Sequence, residues 1–354
     1  MKELKNIVGA HFLFGLEGTT PSQKTLKLIK KLNPAGFILM QGNCESPEQI
    51  FNLTQALQKV SSEPLILSVD QEGGRVARLK DPFLKLPPAQ KIGEMNSPKY
   101  AFELFNAVGK ELKSVGINLD FAPVCDIFTN PQNKVIADRA FGKDSETVAS
   151  LASAATRGLQ KAEILACAKH FPGHGDTVED SHEELPQISH TLKNLEKREL
   201  IPFQRVIKGS VSSIMPAHLI CDALDPNLPV TLSHQALSYL REDLRFSGLI
   251  ISDDMNMGAI AKSYDEDEAL YLACEAGIDI LLYCDPDHDH HEELFELLYK
   301  KVEDEYSFKE KMEGSYLRLQ KIKSEFLINT PKQNQWKQII GCQAHKELES
   351  RINQ

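Results

Sequence analysis

Eight short, mostly apolar runs recur along the chain with longer amphipathic stretches between them, and this alternation restricts the fold more than any other feature. The runs cover residues 7–14, 36–40, 64–69, 117–121, 164–170, 212–216, 249–252 and 278–283. Each is too short for a helix and apolar enough for a strand buried on both faces. Between them the apolar spacing predicts helices over 22–32, 47–60, 98–115, 145–161, 192–208, 233–244 and 266–276. Eight β/α units in 354 residues predict a (β/α)₈ TIM barrel, with a doubly wound open sheet as the competing architecture. Length alone would allow one large domain or two modest ones. No Gly/Ser or Pro linker divides the chain, so the expectation is a single domain: a barrel over 1–305 and a helical tail over 306–354 packed on it.

An apolar fraction of 42% with 25% charged residues is that of a globular protein with a sizeable core. The net charge of -10 argues against a general footprint for nucleic acid or anionic membrane. Seven scattered cysteines, none spaced C-x-x-C, disfavour a disulfide framework or a zinc knuckle and fit a reducing cytoplasm. Residues 1–16 carry two lysines and then an apolar run, as a short signal peptide does, but His11 interrupts the run and no small-x-small cleavage site follows. The segment is read instead as the first strand. No run approaches the ~20 apolar residues of a membrane span.

In a barrel the reactive groups belong at the C-terminal ends of the strands. That rule selects Asp70 after the third strand, Lys169 and His170 at the end of the fifth, His218 after the sixth, and Asp253 with Asp254 at the end of the seventh. Asp70 is followed by a Gly73-Gly74 turn bearing Arg75 and Arg78; the carboxylate either accepts two sugar hydroxyls or pairs with one of those arginines. Arg139 presents a planar fork of donors. Taken alone, it reads as a pin for its own loop, through Asp126, Asp138 or Asp144. Residues 168–186 (AKHFPGHGDTVEDSHEELP) crowd Lys169, His170, His174, Asp176, Asp180 and His182 into one strand end and loop. Asp180 and His182 stand two apart, so an extended backbone puts them on one side, where a carboxylate orients an imidazole and makes a general acid. A simple loop-pinning hydrogen bond is the alternative. His170, His174, Asp180 and His182 are also metal-ligand types, but such barrel sites draw on several strands, and the first strand offers only His11. No metal or cofactor is expected, and 285–291 (DPDHDHH) reads as a loop and helix cap. Strand alternation lets only one of Asp253 and Asp254 point into the mouth, and Asp253 is the candidate.

The blocks KHFPGHG (169–175), DSH (180–182) with Pro186, and SDD (252–254) together resemble glycoside hydrolase family 3, in particular its single-domain, NagZ-like β-N-acetylglucosaminidases. The matched blocks run from 69 to 254. The resemblance implies that Asp253 is the nucleophile, His182 the acid/base and Asp180 its partner, and that Asp70, Arg78, Arg139, Lys169 and His170 grip the non-reducing sugar. It thereby replaces the loop-pin reading of Arg139 and chooses Arg78 over Arg75. It implies a retaining, exo-acting enzyme that removes β-linked N-acetylglucosamine from anhydro-muropeptides of peptidoglycan recycling, a cytoplasmic monomer with no nucleic-acid or membrane partner. Other readings are a family 3 glycosidase or phosphorylase of different sugar specificity, a substrate-assisted hexosaminidase, a metal-dependent barrel hydrolase and an inactive sugar-binding barrel. The sequence departs from the family at 255–257, MNM where LSM is common, and the tail over 310–354 contains no matching block.

Overall fold

Eight parallel strands close on one another in chain order: β1 (Phe12–Gly15), β2 (Gly36–Leu39), β3 (Ile66–Val69), β4 (Leu119–Asp120), β5 (Leu165–Phe171), β6 (Ser213–Pro216), β7 (Leu249–Asp254) and β8 (Ile280–Tyr283). The computed structural model describes residues 2–177, 181, 184–327 and 331–351. Leu13 lies opposite Gly36 and Phe12 opposite Leu281, so β1 pairs with both β2 and β8 and closes the barrel. The predicted (β/α)₈ architecture is therefore the observed one. No described helix is long and apolar enough to cross a membrane.

The two-residue period of each strand sorts its side chains. Leu13, Ile38, Ile66, Leu119, Leu165, Cys167, Met215, Leu249, Ile251, Ile280 and Leu282 fill the barrel interior. Phe12, Phe14, Phe37, Leu67 and Ile250 face outward onto the helices. Extending the inner rows toward the mouth leads from Ile66 through Ser68 to Asp70, from Cys167 to Lys169, and from Ile251 to Asp253. The packing of the core thus sets which polar groups reach the mouth.

Three predicted elements differ from the observed ones. The run at 7–14 is divided: Lys2–Gly9 is a helix, and only Phe12–Gly15 is strand. Leu4, Ile7 and Val8 share one helical face, which packs toward the helices His288–Asp304 and Tyr306–Phe326. A short apolar run cannot by itself distinguish a buried helix end from a strand. The predicted helix over 192–208 is two helices, Leu192–Lys197 and Leu200–Lys208. In one continuous helix Pro202 could give no N–H to Arg198, whereas after the break it sits in a first turn, where none is needed. The helix over 233–244 begins as His234–Ser238 and widens into a π-helical turn at Tyr239–Asp243.

The helix Tyr306–Phe326 plugs the N-terminal end of the barrel with Leu319 and Ile322. Beside it the buried Asp279 carboxylate accepts from Arg241 Nη2 at 2.6 Å, Arg318 Nε at 2.8 Å and Ile250 N at 2.8 Å. Farther along, the helix Gln343–Ser350 lies on Pro98–Ser114, where Glu111 receives His345 Nδ1 at 2.6 Å and Gly341 N at 3.2 Å and, through its other oxygen, Leu84 N at 2.7 Å.

Removing one member of a buried ion cluster strands the others. Asp279→Ala is expected to lower unfolding stability by about 3–5 kcal/mol in urea titrations while leaving turnover at low temperature intact, because Asp279 lies at the end of the barrel remote from the mouth. His11, also at that end, is pushed by burial from 6.5 down to about 4. Its unfolded form binds a proton below pH 6.5 while its folded form resists one until about pH 4. The stability it contributes is therefore complete above pH 6.5 and lost as pH falls toward 4, by about 3 kcal/mol for this group. Urea midpoints measured from pH 7 to 4.5 should fall accordingly.

Candidate active site

The hairpin that follows β3, Gln71–Gly73 paired with Val76–Ala77, brings several charged groups to the mouth. Its turn requires glycine: Gly73 has a φ of 107°, and a Cβ there would stand 2.3 Å from the Pro87 carbonyl oxygen. The chain after β4 runs beside β5 with an altered pairing, in which Cys167 N donates to Ala122 O and Cys125 N to Lys169 O. Asp126 is thereby tucked under the end of β5.

Six of the predicted residues, Asp70, Arg78, Arg139, Lys169, His170 and Asp253, line one cavity of about 280 Å³ at the C-terminal mouth. Asp180 and His182 lie outside the described residues; Ser181 between them is buried and also lines the cavity. His218 is buried beside β7, with Nε2 3.1 Å from the Asp254 carbonyl oxygen. Asp254 is not part of the cavity lining, and its Oδ1 accepts from Asn256 N and Cys284 N. Among the described residues no group of three His, Cys, Asp or Glu is arranged to hold a metal ion. Asp287 of the 285–291 segment caps the helix His288–Asp304 by accepting from Asp289 N and His290 N.

The two alternatives for Asp70 hold together: it lines the cavity and is paired. Its Oδ2 accepts from Arg78 Nη2 and its Oδ1 from Lys169 Nζ, both at 3.0 Å. Arg75 pins the loop instead, donating to Asp138 and to the carbonyls of Lys134 and Val135. Arg139 reaches none of Asp126, Asp138 or Asp144 by hydrogen bond; its partner is Glu72, gripped at both oxygens from Nε and Nη2 at 2.8 Å each. Lys169 Nζ approaches the same carboxylate at 2.6 Å. Burial alone would raise the Glu72 pKa, but Arg139 and Lys169 outweigh it and hold the group well below the usual carboxylate range.

Glu72 and Asp126 are the site groups that sequence reasoning missed. Asp126 Oδ2 meets His170 Nδ1 at 2.7 Å, and Oδ1 accepts from His170 N and from His174 N. This directs His170 Nε2 toward Arg139, 3.5 Å away. Asp120 is a further buried acid: Oδ1 accepts from Gln71 N, Oδ2 has no hydrogen-bond partner among the described residues, and burial pushes its pKa up to about 8. Asp253 behaves otherwise. Burial would raise its pKa too, but His170, His218 and Lys169 together bring it below 3.8, so it is a carboxylate at neutral pH. The cavity therefore joins an ionised carboxylate to a wall of paired donors and acceptors, a surface suited to vicinal hydroxyls.

A model of the glycosyl hydrolase family 3 N-terminal domain matches residues 2–320. The chain belongs to glycoside hydrolase family 3. A β-hexosaminidase of Nitrosomonas eutropha is 38% identical over 282 residues, which cover 78% of this chain and 81% of that protein. Among solved structures, a family 3 β-N-acetylglucosaminidase from a Paenibacillus species superposes with a TM-score of 0.94 at 34% identity, covering 99% of this chain and 68% of its own. NagZ of Neisseria gonorrhoeae, solved with N-trifluoroacetyl-D-glucosamine, superposes with a TM-score of 0.80 at 27% identity over 97% of both chains.

In this family 3 hydrolase Glu72 lines the cavity and keeps two cations, Arg139 and Lys169, in place. Glu72→Gln retains the shape and removes the charge. Steady-state kinetics on an aryl glycoside should show kcat/KM falling by about 10²–10³, the range expected when a buried ion pair loses one partner.

Proposed function

We propose that this glycoside hydrolase is a retaining, exo-acting β-N-acetylglucosaminidase. The observation that carries the reading is the ionised Asp253 in a cavity whose wall is made of Asp70, Arg78, Arg139, Lys169 and His170. At about 280 Å³ the cavity is at the lower edge of the ~300–1,000 Å³ common for small-ligand sites, which favours one terminal sugar over an extended chain. The preference for N-acetylglucosamine is supported by what the relatives are named for.

In this scheme the Asp253 carboxylate attacks C1 while protonated His182, oriented by Asp180, gives its proton to the glycosidic oxygen; the C1–O bond breaks and a glycosyl-aspartate ester forms. Neutral His182 then takes a proton from water as the water oxygen attacks C1; the C1–O bond to Asp253 breaks, its carboxylate is regenerated, and the sugar leaves with its configuration retained. Asp253 can attack because its neighbours keep it ionised. Asp70 and Arg78 are suited to the hydroxyls of the bound ring, with Lys169 and Arg139 behind them. The substrate-assisted alternative needs paired acids at the sugar, and Asp254, whose Oδ1 accepts from Asn256 N and Cys284 N, is not among the described residues that line the cavity. The anhydro-muropeptides of peptidoglycan turnover, met in a reducing cytoplasm, are the substrates we assign on family resemblance.

Incubation with a 5-fluoro N-acetylglucosaminyl donor followed by peptide mapping should place the label on Asp253; a label elsewhere, or none, removes the covalent scheme. In parallel, p-nitrophenyl β-N-acetylglucosaminide should be cleaved in preference to the β-glucoside, and Asp253→Ala should lose at least about 10⁴-fold in kcat.

A further inference from the structure

We propose that Ser181 is a positioning residue that fixes the register of the loop bearing Asp180 and His182 against the strand bearing Asp253, through its contacts with His174 and Ala259. The inference rests on the reading of His182 as the acid/base. Ser181 is buried and held at two points. Its Oγ lies 3.0 Å from His174 Nε2, and its carbonyl accepts from Ala259 N at 3.1 Å. Ala259 belongs to the short helix Gly258–Ala261, which begins four residues after Asp254. The Ser181 carbonyl is thus tied to the segment that continues directly from the nucleophile's strand. The side chain is tied to His174, three residues beyond the end of β5, the strand that supplies Lys169 and His170.

The direction of the Ser181–His174 hydrogen bond follows from its surroundings. Thr177 Oγ1 gives its own proton to the His174 carbonyl at 3.2 Å, so toward the ring it can only accept. His174 Nδ1, 2.9 Å from that oxygen, is therefore the protonated nitrogen. Nε2 is left with its lone pair, and the Ser181 hydroxyl donates to it. Burial, and then the neighbouring His170, push the His174 pKa down to about 4, which keeps the ring neutral as this arrangement requires. The ring is fixed from behind as well. Asn133 Nδ2 donates to the His174 carbonyl at 2.8 Å, and His174 N donates to Asp126 at 2.7 Å. Asp126 is the carboxylate that orients His170, so one buried acid organises the sugar wall on one side and the anchor of the Asp180–His182 loop on the other.

Ser181 is covalently bonded to both members of the dyad, so movement of its backbone carries them with it. Proton transfer to a leaving oxygen needs a donor within about 2.6–3.2 Å, and a misplacement of about 1 Å can cost 10²-fold. A serine held at both its hydroxyl and its carbonyl is well placed to prevent such a shift. Removing the hydroxyl should damage protonation of the leaving group more than binding of the sugar.

The test is a leaving-group series of aryl β-N-acetylglucosaminides, from phenyl to 2,4-dinitrophenyl, read as kcat/KM for wild type, Ser181→Ala, Ser181→Cys and His182→Ala. With His182 as the acid, His182→Ala loses 10²–10⁴-fold on the phenyl glycoside and far less on the dinitrophenyl glycoside, whose leaving group needs no proton. Ser181→Ala should show the same slope, with a loss of about 10²-fold on the phenyl substrate. Ser181→Cys preserves volume but donates weakly, and should fall between; if Ser181→Ala does not fold, this variant decides. Losses equal across the series, or no loss, in the Ser181 variants while His182→Ala keeps its steep dependence would overturn the role of Ser181 alone. A flat series for His182→Ala would instead overturn the acid/base reading and, with it, this inference.

Discussion

Lys169 brings a full positive charge into a mouth from which water is nearly excluded, and the arrangement of the neighbouring groups follows from that burial. An isolated buried ammonium would be driven to lose its proton. Here Asp70 and Glu72 receive it at 3.0 and 2.6 Å, and the exchange holds Lys169 well above the usual lysine value. The two carboxylates are in turn paired with Arg78 and Arg139, each from its own loop. Every member is both demanded and oriented by the others. The donors facing the cavity are consequently fixed in place, which under the proposed function leaves little reorganisation for the reaction.

The two ends of the barrel divide the work. At the mouth, charged groups converge on a cavity. At the opposite end, Asp279, Arg241 and Arg318 spend their charges on one another, and the helix Tyr306–Phe326 seals the interior with Leu319 and Ile322. Under the proposed function, substitutions at one end are expected to act on stability and at the other on turnover, the usual partition of a (β/α)₈ fold.

Much of this was legible in the sequence because the core enforces it. A run such as Leu249–Asp254 must alternate, so burial of Leu249 and Ile251 in the interior carries Asp253 to the mouth, and the same reasoning carries Lys169 there from Cys167. What could not be read depends on pairings between distant loops. Glu72 stands two residues after Asp70 in a glycine-rich turn and has no local sign of meeting Arg139, which lies 67 positions away. Asp126 reads from the sequence only as a partner for Arg139, since nothing in its spacing points to His170. The first helix was obscured because Ile7 and Val8 adjoin the true strand without a break in apolar character. The sugar preference was available only from family resemblance.

The charges around the cavity also add to a definite sum. Asp70, Glu72 and Asp253 supply three negative charges; Arg78, Arg139 and Lys169 supply three positive ones, and the exposed Arg75 and Lys134 add two more. The inner wall is thus balanced, a closely spaced alternation of donors and acceptors, while the exposed side of the lining is positive by two charges. Under the proposed function, the inner wall selects the terminal sugar by hydrogen-bond geometry rather than by attraction at a distance, and a uronic acid or a free amino sugar would have to break a balanced pair to be seated.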